Sequence, residues 1–195
     1  MVPRFVTAAF FGLVLMTENS AFAQGQLVQP PQLAQIVDVP ANDTLNVRAA
    51  ASATSKDIGD LQNGSSVELL ELQDGWARII WSEGDGWISK RYTEELIRPA
   101  LPSGLPLGLA CGGTEPFWDL RLFKLGAMSL DGVTQPITAS GTSENNRHAY
   151  YFKTPDTTGI LRAKLCSDGM SDRKYGWEID VVTGQGLRSG CCWVR

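Results

Sequence analysis

The chain has 195 residues, with 17 Lys or Arg against 21 Asp or Glu and a formal net charge of −4. The acidic excess sits in the first half: residues 36–98 hold eleven acidic and six basic side chains, and residues 104–195 hold nine and ten. Neither half has a Lys/Arg run, which excludes nucleic acid and anionic lipid surfaces as partners, since binding to phosphates needs clustered cations.

Residues 1–23 read as a secretory signal. Arg4 supplies a positive start, Phe5 to Met16 is a charge-free apolar run, and Ala21 and Ala23 are the small residues of a cleavage site before Gln24. The run falls well short of the roughly 20 residues that a spanning helix needs. No later stretch is long or apolar enough, so the mature chain is expected to have no transmembrane anchor and to work in a periplasm or outside the cell. Residues 24–35, polar with Pro30-Pro31, predict a poorly ordered leader.

From residue 36 to 97 the pattern is short strands and turns. Leu45-Asn46-Val47-Arg48 alternates, "SVELLEL" (66–72) follows, and Asp-Gly pairs open "QDGWARII" (73–80) and "EGDGWIS" (83–89). Such pairs favour the positive-φ turns of hairpins, and strands at this spacing suggest a small barrel. The segment 44–92 resembles a bacterial SH3 (SH3b) domain. The resemblance rests on Leu45-Asn46-Val47-Arg48, Ile58 and Leu61 before Asn63-Gly64, Val67, Gly75-Trp76 and Gly86-Trp87-Ile88. It implies a barrel used as a targeting or ligand module that often binds peptidoglycan peptide or glycan, and it implies no catalysis. Trp76 and Trp87, each after a glycine, are expected in the barrel core. Trp81, next to acidic residues, is expected to be partly exposed. Trp81, Tyr92, Glu83 and Asp85 are the candidate ligand-binding set, an acidic aromatic groove suited to a cationic peptide.

Residues 98–108, with three prolines and two glycines, predict an extended linker. Beyond it, 109–195 also reads as β. "FWDLRLF" (117–123), "HAYYFKT" (148–154), "GILRAKLC" (159–166) and "GWEIDVV" (176–182) alternate with period two, and "TGQG" (183–186) is a hairpin turn. The fold class is therefore all-β: a small SH3-like barrel followed by a disulfide-stabilised antiparallel domain. Three blocks, "CGGTEPFWDL" (111–120), "CSDGMSDRKYGW" (166–177) and "GCC" (190–192), resemble an uncharacterised family of bacterial envelope proteins, which implies an exported β domain and little more.

All four cysteines, Cys111, Cys166, Cys191 and Cys192, lie in this second part. An even number in an exported chain reads as two disulfides. Bridging the neighbours Cys191 and Cys192 is disfavoured by geometry, which leaves Cys111–Cys191 with Cys166–Cys192, or Cys111–Cys192 with Cys166–Cys191. No metal-ligand spacing is present and the one histidine, His148, has no nearby cysteine, so neither a metal nor a cofactor is expected.

The cluster around residues 167–173 supports two readings. As chemistry, Asp168 or Asp172 is a general acid or base, Ser171 a hydroxyl ligand or nucleophile, Arg173 an anion clamp and Glu115 a second carboxylate. As architecture, Asp168-Gly169 is a turn, the side chains of Ser167, Asp168, Ser171 and Asp172 bond nearby backbone N–H groups, and Arg173 pairs with Glu115 or Asp172, a buried Glu115 being the specific expectation. The architectural reading is the simpler, because no complete catalytic constellation accompanies the cluster. The expected function is a non-enzymatic envelope-binding protein that contacts peptidoglycan or an envelope protein. The alternatives are an envelope hydrolase and an inhibitor or assembly factor.

Overall fold

The computed structural model describes residues 25–194; the signal expected over 1–23 lies outside them. The protein is all-β and has two antiparallel sheets. The first contains β1 (Gln26–Ile36), β2 (Leu45–Arg48), β3 (Asp57–Leu61), β4 (Ser66–Gln73), β5 (Trp76–Trp81), β6 (Gly84–Ser89) and β7 (Thr93–Glu95), in the order β3-β2-β6-β5-β4-β1-β7. A 3-10 turn, Lys90–Tyr92, leads from β6 into β7.

The second sheet contains β8 (Leu109–Thr114), β9 (Phe117–Leu122), β10 (Ala127–Leu130), β11 (Val133–Pro136), β12 (Ala139–Thr142), β13 (Ala149–Lys153), β14 (Thr158–Cys166), β15 (Tyr175–Thr183) and β16 (Gly186–Val194). Its order is β11-β10-β9-β8-β16-β15-β14-β13-β12. Consecutive strands are neighbours except β11 and β12, which form the two edges, and β16 returns to pair with β8, placing both chain ends of this half at the middle of the sheet.

Each half has its own apolar core. In the first, Ala34, Ile36, Leu45, Val47, Leu69, Ala77, Ile79 and Ile88 pack together. Period-two alternation puts Ala77 and Ile79 inward, so Trp76 is carried to the other side of β5. Trp76 and Trp87 are half-buried and lie outside this core, contrary to the expectation that they fill it. Alternation gives the inward positions of β5 and β6 to Ala77, Ile79 and Ile88, and the indole that packs against this core is that of Trp81. In the second half, Trp118, Leu120, Leu122, Phe152, Leu161, Trp177, Ile179 and Val181 form the core with the Cys111–Cys192 bridge beside them.

Two segments expected to be loose are ordered. Gln26–Ile36 is a strand, not a leader: it pairs with β4 and β7 through its backbone and contributes Ala34 and Ile36 to the core. Its register with β4 breaks between Leu27 and Gln32, where Pro30 and Pro31 fall; proline lacks the N–H that a continuous ladder requires. Residues 98–108 are packed and not a free linker. Arg98 is largely buried, Leu105 and Leu107 belong to the second core, and Ala100 bridges Pro106.

Strand β4 explains how the halves are joined. Three consecutive residues, Glu68, Leu69 and Leu70, are buried, which alternation alone does not permit for a sheet with one wet face. Leu69 enters the first core, whereas Glu68 and Leu70 face the second sheet. The approach is close at Gly176, where a Cβ would stand 2.3 Å from Pro31 Cγ and 3.0 Å from Leu70 Cδ2. Only glycine fits there. Glu68 Oε1 accepts hydrogen bonds from Arg98 Nη2 at 2.6 Å and from Trp177 Nε1 at 2.8 Å.

Candidate functional site

The site residues divide between three places. The first is a groove on the outer side of the first sheet, about 450 Å3 in volume, lined by Asp43, Asn46, Arg48, Trp76, Arg91 and Tyr92 among others. Trp76 is placed by the turn before it, where Asp74 and Gly75 both take positive φ (48° and 81°); that geometry reverses the chain in two residues and starts β5 with the indole off the core face. Tyr92 closes the 3-10 turn, and the Arg91 guanidinium stacks over its ring, 4.4 Å from the centroid, while also donating to its hydroxyl. Arg48 Nη1 donates to Ser55 O at 3.1 Å and lies 4.0 Å from Asp57 Oδ2. The groove thus has two aromatic walls, two guanidinium groups and the Asp43 carboxylate.

The candidate ligand set read from the sequence is not one groove. Tyr92 lines the groove just described, but Trp81, Glu83 and Asp85 sit on the β5–β6 hairpin at the other end of the strands. Trp81 donates its indole N–H to Ile58 O at 3.1 Å and lies over Gly59. Asp85 accepts from Arg78 Nη1 at 3.1 Å and from the Lys174 backbone N–H at 3.3 Å. Glu83 pairs with Arg173 Nη2 at 3.0 Å, and the Arg173 Nε donates to Ser82 O. These acidic residues meet the second half of the chain, not a ligand groove.

The third place is the 167–173 cluster. The carboxylate of Asp168 accepts from the Met170 and Ser171 N–H groups at 3.0 and 3.1 Å, from the Ser171 hydroxyl at 3.3 Å, and from the Tyr175 hydroxyl at 3.1 Å. Burial pushes its pKa up, but these donors outweigh burial and hold it below the ordinary carboxylate value. Ser171 Oγ also accepts from the Arg173 N–H at 3.4 Å. Asp172 is exposed. Glu115 is exposed as well and does not pair with Arg173, which is engaged by Glu83 instead; the expected buried Glu115–Arg173 pair is absent because the loop turns Arg173 toward the first half. His148 lies just before β13, its backbone N–H donating to Asn146 Oδ1 at 3.0 Å and its backbone carbonyl accepting from the Ala163 N–H. Beside the cluster, Asp168, Glu178 and Asp180 line a depression of about 400 Å3. There Arg162 Nη1 reaches Asp180 at 2.7 Å, and Lys164 Nζ reaches Glu178 at 2.8 Å.

The cysteines resolve to Cys111–Cys192 and Cys166–Cys191. Cys111 and Cys192 are direct cross-strand partners on β8 and β16, and the opposite-facing Cys191 reaches over to β14. Among the described residues, no group of three or more His, Cys, Asp or Glu is arranged to hold a metal ion, and no helix is long and apolar enough to cross a membrane.

Comparison with known proteins bears on the first groove directly. Residues 43–94 match the family model described as the bacterial SH3 domain. This segment is a bacterial SH3 domain. Within the SH3 domain fall β2 to β6, both aromatic walls of the groove and all six of the groove residues named above. Strand β1 lies before the match yet completes the SH3 sheet between β4 and β7. A comparison with curated proteins found no match. One solved structure, NlpC1 from Trichomonas vaginalis, aligns with 93% of this chain at 11% identity and a TM-score of 0.33. The chain spans 49% of that structure's length, and a likeness this distant says nothing further about fold or function.

Trp76 is the groove residue that sequence reasoning placed elsewhere. The signal for it was present: in "DGWARII" the residues on its face are Arg78 and Ile80, while Ala77 and Ile79 alternate with it.

Proposed function

We propose that this is an exported envelope-binding protein whose bacterial SH3 domain holds peptidoglycan, or a wall-associated peptide, in the groove between Trp76 and Tyr92. The observation that carries the reading is the coincidence of the family match over 43–94 with the residues that build the groove. The chemistry suits a short peptide with charged ends. Two flat aromatic faces give apolar contact at low entropic cost, Arg48 and Arg91 answer carboxylates, and Asp43 answers an amine. Export fits the rest: a signal over 1–23, an SH3 domain within 36–97, a second domain over 109–195, and two disulfides of the kind that persist in oxidising compartments.

In this reading the second domain is a scaffold. The carboxylates of Asp168, Glu178 and Asp180 are already spent on backbone N–H groups, Arg162 and Lys164. The test is co-sedimentation of the full chain with purified sacculi. The intact chain is needed because Glu68 and Leu70 are buried against the second sheet, so a cut at residue 98 would strand both in water. The reading expects the wild type to sediment and Trp76→Ala with Tyr92→Ala to remain in solution. Release of soluble wall fragments by the wild type but not by Asp168→Asn would replace it with the hydrolase alternative. A stable cross-linked complex with an envelope protein and no sacculus affinity would replace it with the assembly-factor alternative.

A further inference from the structure

Where the two sheets meet there is a hollow of about 720 Å3, within the roughly 300–1,000 Å3 typical of small-molecule sites. Its walls are apolar and come from both halves: Leu33, Val67 and Trp81 from the first, Leu107, Trp193 and Val194 from the second. Ile97 also lines it and is 95% exposed, an aliphatic side chain left in water at the mouth of an apolar cleft.

The charged lining is unequal. Arg98, Lys124 and Arg173 face one carboxylate, Glu68. Glu68 answers Arg98 at 2.6 Å, and Glu83 answers Arg173 at 3.0 Å from outside the hollow. Lys124 has no ion-pair partner among the described residues and is exposed. In a chain of net charge −4, this is a local excess of positive charge set against apolar walls.

We propose that this hollow binds a small amphiphilic carboxylate, its apolar tail between the walls that carry Trp81 and Trp193 and its anionic end at Lys124. A cationic amphiphile would meet Lys124 with like charge, and an uncharged one would leave that charge without a partner. Because the walls belong to both halves, a bound ligand links them and stabilises the folded chain by mass action. The site is separate from the groove of Trp76 and Tyr92, so wall binding and carboxylate binding stand or fall independently.

The test uses the full chain with decanoate below its micelle concentration, and decanol and decyltrimethylammonium as comparators. Tryptophan fluorescence and melting temperature are the readouts. Decanoate is expected to saturate, to bind more tightly than either comparator and to raise the melting temperature. Lys124→Gln should weaken decanoate about two- to fivefold, as loss of an exposed ion pair does. Ile97→Asp should weaken it by about tenfold or more through lost apolar contact. Both positions are exposed, so the variants are expected to keep the wild-type circular dichroism. A signal that does not saturate, equal binding of either comparator, or unchanged affinity in either variant overturns the proposal.

Discussion

Glu68 and Trp177, 109 residues apart, share a hydrogen bond of 2.8 Å from the indole N–H to carboxylate Oε1 across the two sheets. The same oxygen holds Arg98 at 2.6 Å, and the Arg98 guanidinium lies 5.3 Å from the centroid of the Trp177 ring. Glu68 Oε2 is buried without a hydrogen bond; the Val194 N–H approaches the carboxylate outside bonding geometry. One side chain therefore fastens the SH3 sheet, the following segment and the second core together.

Glu68→Ala is expected to destabilise the protein by roughly 3–5 kcal/mol, because it leaves Arg98 largely buried without its counter-charge. Trp177→Phe, which keeps a ring but removes the donor, is expected to cost about 1–3 kcal/mol. Chemical denaturation followed by tryptophan fluorescence checks both. The wild type should unfold in one transition, and Glu68→Ala should broaden or split it as the halves uncouple.

The pH dependence has a defined sign. Burial pushes the Glu68 pKa above its ordinary value of 4.5, while Arg98 and the Trp177 indole pull against burial without overcoming it. The folded protein therefore binds this proton more readily than the unfolded chain. Glu68's contribution to stability is greatest at low pH and is lost as pH rises from about 4.5 through the raised value. Relative to Glu68→Gln, wild-type stability should fall over that window and then stay level. Melting curves of the two proteins in parallel from acid to neutral pH measure the difference. A difference that grows with rising pH would place the carboxylate in a charge-favouring site.

Asp168 behaves in the opposite sense. Its pKa lies below the ordinary 3.8, so its contribution is present at neutral pH and is lost as pH falls below that value. Asp168→Ala removes the acceptor for two backbone N–H groups, a loss comparable to an N-cap and worth about 1 kcal/mol. Sacculus binding should be unchanged. Loss of binding at unchanged melting temperature would move the functional site to this loop.

Replacing Cys111 and Cys192 by Ser is expected to cost about 2–5 kcal/mol, since the bridge constrains a separation of 81 residues in the unfolded chain and sits in the second core. Intact mass after alkylation without reductant should show no free thiol, and melting of the variant gives the cost. Unaltered melting would mean that apolar packing alone holds β8 against β16.

Much of the fold was legible because it is written in short-range pattern. Alternation over Trp177, Ile179 and Val181 gave β15 its buried face, and the turn in "TGQG" is the β15–β16 hairpin. What was hidden is long-range. Strand β1 has no alternation to read, because its first residues pair by backbone alone and only Ala34 and Ile36 reach the core. Glu68 reads as the polar side of a half-wet strand until the second sheet covers it. Arg173 was matched to Glu115 because a bridge from Cys111 would bring their loops together, whereas its partner Glu83 lies 90 residues away on the other half of the chain. The groove beside Trp76 and Tyr92 was only partly legible: Tyr92 was grouped with Trp81, Glu83 and Asp85, which lie on another hairpin, and Trp76 was assigned to the core because it follows a glycine in a turn.

Chemical-shift mapping of the full chain with soluble muropeptides tests the wall-binding account most directly. The account predicts saturable perturbations confined to Asp43–Arg48, Trp76 and Arg91–Tyr92, abolished in the Trp76→Ala, Tyr92→Ala double variant. No perturbation, or perturbations centred on residues 167–173, would contradict it.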